Sequence, residues 1–101
     1  LDRQGTHSTK NLGQLRSGAK ASTAGIIIVR QQPMTAKGFL FITLEDETGF
    51  ANLIVSPPIF KKYRQAIVSS EGLWAEGIVQ NQNGVVHLKA QMIANLSEVV
   101  P

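Results

Sequence analysis

Between residues 22 and 95 the chain alternates and breaks in an order that few small folds can satisfy. Three β-type segments come first, then one helical segment, then two more β-type segments. The first, at 22–31, carries the β-branched run Ile26, Ile27, Ile28 and Val29, which suits a buried strand. The segment from Gln32 to Gly38 ends it, because Pro33 lacks a donor and Gly38 permits a turn. The second strand, at 39–45, splits by alternation. Leu40, Ile42 and Leu44 should face a core, and Phe39, Phe41, Thr43 and Glu45 the other side. A DETG turn with Gly49 free to take positive φ leads into a third strand at 50–55. There Ala51, Leu53 and Val55 oppose Phe50, Asn52 and Ile54.

Ser56-Pro57-Pro58 reads as a helix start, with Ser as cap and Pro in the first turn. Ile59, Phe60, Tyr63, Ala66 and Ile67 recur at helical spacing, and Lys61, Lys62, Arg64 and Gln65 face water. Residues 69–72 end the helix. A fourth strand at 73–81, an Asn83-Gly84 turn and a fifth strand at 85–95 complete the pattern. Five strands with one helix between the third and fourth follow the order of an all-β, five-stranded OB-fold barrel; other small barrels share five strands, but fewer carry the helix in that place. Closure suits so short a sheet because it removes exposed edges.

The remaining boundaries follow from composition. Residues 1–21 are rich in Gly, Ser, Thr, Asn and Gln and read as a flexible polar lead-in, with Leu12, Leu15 and Ala19 alone at helical spacing. The barrel is expected over 22–97 and a tail over 98–101. The chain begins at Leu1 rather than Met and is expected to be a piece of a longer protein. The net charge of +3 lies in the lead-in, where Arg3, Lys10, Arg16 and Lys20 stand against Asp2 alone. Residues 23–101 balance six basic against six acidic side chains. The lead-in can attract phosphate or serve as a solvated linker.

Several chemistries lack their residues. With no cysteine, disulfides and thiolate metal sites are excluded. His7 and His87 have no acid or cysteine companions, so no metal site is expected. Glu45, Asp46 and Glu47 are adjacent and read as turn chemistry rather than a Mg²⁺ site. There is no catalytic triad, phosphate-cradling glycine loop or dinucleotide fingerprint, so neither catalysis nor a cofactor is expected. No apolar run approaches the roughly 20 residues of a membrane-spanning helix, and no membrane partner is expected.

One stretch goes beyond topology. Val29-Arg30-Gln31-Gln32-Pro33-Met34-Thr35-Ala36-Lys37-Gly38, then the segment from Phe41 to Gly49, then Asn52-Leu53-Ile54-Val55, resembles the C-terminal OB domain of bacterial C-family DNA polymerases. The likeness is greatest to the alpha-like chain of the error-prone, damage-tolerant branch. It spans about residues 12–97, including Leu15-Arg16-Ser17-Gly18. The family pattern has a glycine where Met34 stands and often a tryptophan where Ser56 stands. The chain is also similar to the anticodon-binding OB domains of class II synthetases, where a phenylalanine stacks on a base and an amide reads a base edge. Phe41 and Asn52 occupy the matching places.

The resemblance implies a single-stranded DNA-binding module of a cytoplasmic bacterial polymerase, holding template during DNA synthesis or repair. RNA is not distinguished from DNA by these residues. The implied binding set is Arg30, Gln31, Thr35, Lys37, Phe39, Phe41, Thr43 and Asn52. Of the two phenylalanines, Phe39 is the one expected to be covered. Trp74 is expected to pack against the helix near Tyr63 rather than stack on a base. The loop at Asn81, Gln82 and Asn83 is short and uncharged and should contribute little. Implied partners are the parent chain and other replisome or repair proteins, with the isolated domain a monomer. The alternative is a protein-interaction module of the same assembly, which the uncharged balance of residues 23–101 favours.

Overall fold

The computed structural model describes residues 6–7, 12, 14–34, 37–82 and 85–99. A two-residue strand β1 (Thr6–His7) is followed by β2 (Lys20–Gln31), β3 (Leu40–Asp46), β4 (Gly49–Val55), α1 (Pro57–Ser69), β5 (Gly72–Gln82), β6 (Val85–Asn95) and a short α2 (Leu96–Val99). The order across the sheet is β1-β2-β3-β4-β6-β5, and a further β2–β5 pairing closes the five long strands into a barrel. β4–β6 and β1–β2 are parallel, and the other pairs are antiparallel.

β2 closes the barrel by serving two neighbours. Its first half, Lys20 to Ile26, pairs with β5, and its second half, Ile26 to Gln31, pairs with β3. The core lies inside, as alternation predicts. Leu40, Ile42 and Leu44 of β3 meet Ala51, Leu53 and Val55 of β4, with Leu73, Ala75, Val79, Leu88, Ala90 and Ile93 from β5 and β6. Each buried Leu, Ile or Val side chain contributes about 1.5–3 kcal/mol by leaving water. α1 lays Ile67 into this core and packs Ile59, Phe60 and Tyr63 against it. Lys61, Lys62 and Arg64 stand exposed, with the Lys62 ammonium 5.4 Å from the Tyr63 ring centroid.

The β-branched run is where sequence pattern and structure part. Ile26 is 52% exposed, and Ile28 and Val29 are exposed as well. Plain alternation sets Ile26 outward opposite Glu45, and a bulge accounts for the rest. Ile27 pairs with Leu44 and Val29 with Thr43, so Ile28 is the extra residue. That slip reverses the facing. Ile27 packs against the core, while Val29 and Gln31 turn outward opposite Thr43 and Phe41.

The helix termini are also built differently from the sequence reading. Ser56 makes no side-chain cap bond. Pro58 lacks one of the two amide hydrogens such a cap would serve, and the Ser56 carbonyl accepts from the Phe60 amide at 2.8 Å. At the other end the last turn of α1 holds no basic residue. Arg30 of β2 supplies the cation, its Nε donating to the Ile67 carbonyl at 2.9 Å and Nη2 to that of Ser70 at 2.7 Å. Arg30→Ala should lower unfolding free energy by about 1–2 kcal/mol. Arg30→Lys should restore only part, since an ammonium cannot span both carbonyls in one plane. Denaturant midpoints at unchanged m-value would show this; a wild-type midpoint for Arg30→Ala would refute the bracing role.

Part of the segment expected as a flexible lead-in is packed on the barrel. Leu12 is 2% exposed and belongs to the core, with Leu15 and Ala19 against it. Gly18 donates to the Val79 carbonyl, and the Val79 amide donates to that of Ala19, each at 2.8 Å. Asn81 donates its amide to Ser17 Oγ at 2.9 Å and its Nδ2 to the Leu15 carbonyl at 3.3 Å. These contacts lie at the other end of β5 from α1. Thr6 and His7 pair with Ser22 and Thr23.

Candidate nucleic-acid interface

The outer face of β3, β4 and β6 can be assembled from register alone. Inward residues are the aliphatic set, so their neighbours point out. One row across the strands is Gln31, Phe41, Ile54 and Lys89. The next is Val29, Thr43, Asn52 and His87. A third holds Ile26, Glu45 and Phe50. The result is a partly apolar surface with a polar centre.

Thr43 Oγ1 donates to Asn52 Oδ1 at 3.1 Å. That bond orients the amide, and Nδ2 keeps its donors for a ligand. Phe41 is partly exposed beside this pair, and Phe50 is 60% exposed beyond it. Phe39 is partly covered and lies just outside β3.

The first loop enters this face from the β3 start. Lys37 and Gly38 take consecutive left-handed conformations, with φ of 55° and 86°. Glycine suits the second site, since an added Cβ would also lie 3.2 Å from Pro57 Cγ. Gln32 Nε2 donates to the Gly38 carbonyl at 3.1 Å and ties the two sides of the loop together. Lys37 is exposed. Thr35 lies outside the described residues, as does the Asn83-Gly84 turn. Asn81 and Gln82, expected in a loop, belong to β5.

At the opposite end of β3, Asp46 Oδ1 accepts from the Thr48 amide at 2.8 Å, the Thr48 hydroxyl at 2.7 Å and the Gly49 amide at 3.1 Å. This is an Asx turn, the turn chemistry read from DETG. Gly49 has φ of 147°.

Two expected side chains are placed differently. Arg30 is drawn to the helix terminus, with two of its nitrogens engaged there rather than on the β3–β4 face. Trp74 is half-buried on the outer side of β5, between Ala24 and Ala94, because Leu73 and Ala75 take the inward positions. It stands outside the cluster that contains Tyr63. Three residues on the face were not singled out from sequence. Phe50 could have been found from alternation. His87 and Lys89 could not, because the parallel Asn52–His87 and Ile54–Lys89 pairings join residues 35 apart in the chain.

A model of the OB-fold nucleic acid binding domain matches residues 21–96. The chain belongs to this family. Similar proteins include the error-prone DNA polymerase of Rhodopseudomonas palustris strain BisA53, 48% identical over 83 residues, which are 81% of this chain and 7% of that protein. The error-prone DNA polymerase of Methylococcus capsulatus is 43% identical over 98 residues, 97% of this chain and 9% of the relative. The OB domain therefore spans less than a tenth of the length of these relatives. Among solved structures, asparaginyl-tRNA synthetase from Pyrococcus horikoshii superimposes with a TM-score of 0.72 at 16% identity, over 89% of this chain and 22% of that one. That likeness shows the barrel architecture. Among the described residues of the OB domain, no helix is long and apolar enough to cross a membrane.

Proposed function

We propose that this domain binds single-stranded DNA within an error-prone bacterial DNA polymerase, holding template strand during synthesis past damage in the cytoplasm. The observation that carries this reading is the Thr43–Asn52 pair beside exposed aromatic surface on one face of a nucleic-acid-binding barrel. Phe41 offers a ring for base stacking, and the oriented Asn52 amide offers donors to a base edge. Gln31 and Lys37 flank the face, with Phe39 at its edge, and Thr35 completes the proposed set. Arg30 acts through its hold on the helix. The barrel carries balanced charge, so binding by the domain alone is weak and largely sequence-independent, in the non-specific range. Attachment to a longer chain raises it through effective concentration.

Phe41→Ala should weaken oligo-dT binding by about 1–3 kcal/mol, roughly 5- to 150-fold, while the fold persists. Fluorescence anisotropy with a labelled oligonucleotide measures this. Unchanged affinity in a folded variant would remove Phe41 from the site.

A second reading, contact with another protein of the polymerase assembly, draws on the exposed Ile26, Ile28 and Val29 along β2. Capture of a polymerase partner that survives high salt, with no oligonucleotide binding, would favour it.

A further inference from the structure

The outer face is graded in charge along the strands. Lys37 stands at the β3 start, and Lys89 stands opposite Ile54 in the Phe41 row. Both are exposed, and neither forms an ion pair among the described residues. The other end of β3 carries Glu45 and Glu47, also exposed, beside the Asp46 turn. A polyanion laid on this face meets cations at one end and carboxylates at the other.

The geometry points to one orientation of the ligand, given the reading of this face as a single-strand site. The phosphodiester chain crosses the strands at the cationic end, from Lys37 to Lys89, and leaves the Phe41 ring under its bases. The bases project along the strands toward Thr43, Asn52 and His87, with Phe50 beyond. Neighbouring strands lie about 4.8 Å apart, so the row from Gln31 to Lys89 covers roughly 14 Å, room for a short run of nucleotides. Successive rows are about 7 Å apart, a length on the scale of one base. The reverse placement would set phosphates against Glu45 and Glu47. Lys89 is thus a phosphate contact on β6, a strand outside the β3–β4 pair that sequence motifs mark.

The test is the salt dependence of oligo-dT binding by the whole chain and by Lys37→Gln, Lys89→Gln and Lys61→Gln. Lys61 is exposed on α1, outside the three strand rows of the face, and its loss changes net charge equally. Each phosphate contact contributes about 0.7 to the slope of log K against log salt for single strands. Lys37→Gln and Lys89→Gln should each lower the slope by about 0.7, and Lys61→Gln should leave it unchanged. His87→Ala should lower affinity by the same factor at every salt concentration. A wild-type slope in Lys89→Gln, with Phe41→Ala still impaired, would overturn the track and leave the single-strand site standing. Equal losses in all three lysine variants would overturn it as diffuse charge. No oligo-dT binding by the unmodified chain would overturn both.

Discussion

Gly77→Ala should destabilise the barrel by about 1–3 kcal/mol or more, with a lower denaturant midpoint at unchanged m-value. A Cβ built on Gly77 would stand 1.9 Å from the Lys89 carbonyl oxygen and 2.8 Å from its carbon. The colliding atoms are backbone in a paired strand, so no rotamer change relieves them. The close approach arises where the β5–β6 register slips between Glu76 and Gly77, as Gly77 faces Ala90 and Glu76 faces Met92. The bulge bends β6 into the barrel. Relief requires β6 to move, and Lys89 moves with it. Gly77→Ala should therefore also weaken oligonucleotide binding, although Gly77 faces the interior. A variant with wild-type stability would mean the two strands are not held this close.

Leu12→Ala should cost about 2–5 kcal/mol, the range for emptying a buried leucine site. Leu12 lies in a stretch whose composition reads as linker, yet it is buried with the barrel core. Removing its side chain leaves a cavity that Leu15 and Ala19 can only partly fill. Deleting residues 1–19 should cost at least as much, because the hydrogen bonds to Val79 and Asn81 are lost too. Thermal or denaturant unfolding of the truncated chain measures this. Unfolding identical to the full chain would show the lead-in to be dispensable.

Most of the barrel was legible because its strands obey a period of two. Leu40, Ile42, Leu44, Ala51, Leu53 and Val55 face inward as alternation requires. The helix was legible from the spacing of Ile59, Phe60, Tyr63 and Ile67. What escaped depends on departures from period. The bulge at Ile28 turned Val29 and Gln31 outward, and nothing in four consecutive β-branched residues marks which one is extra. The bulge at Gly77 had a signal, since an isolated glycine within a strand often marks close backbone approach. Leu12 had a weaker one in its helical spacing with Leu15.

The candidate site was legible where it is local. Phe41, Thr43 and Asn52 sit on adjacent paired strands joined by a short turn, so their proximity follows from the hairpin. Arg30 was read for its charge, but its guanidinium completes a helix end 37 residues away in sequence. Lys89 and His87 reach the face through a parallel pairing that spans the helix and a whole strand. Sequence reading resolves neighbours along the chain and across hairpins, and loses contacts that only closure creates.

The most direct test of the single-strand site is an NMR titration of the isotope-labelled chain with short oligo-dT at two salt concentrations. Chemical-shift changes should gather on Phe41, Thr43, Asn52, Lys37 and Lys89 and fade as salt rises. Changes confined to residues 1–19, or none at either salt, would contradict the single-strand site.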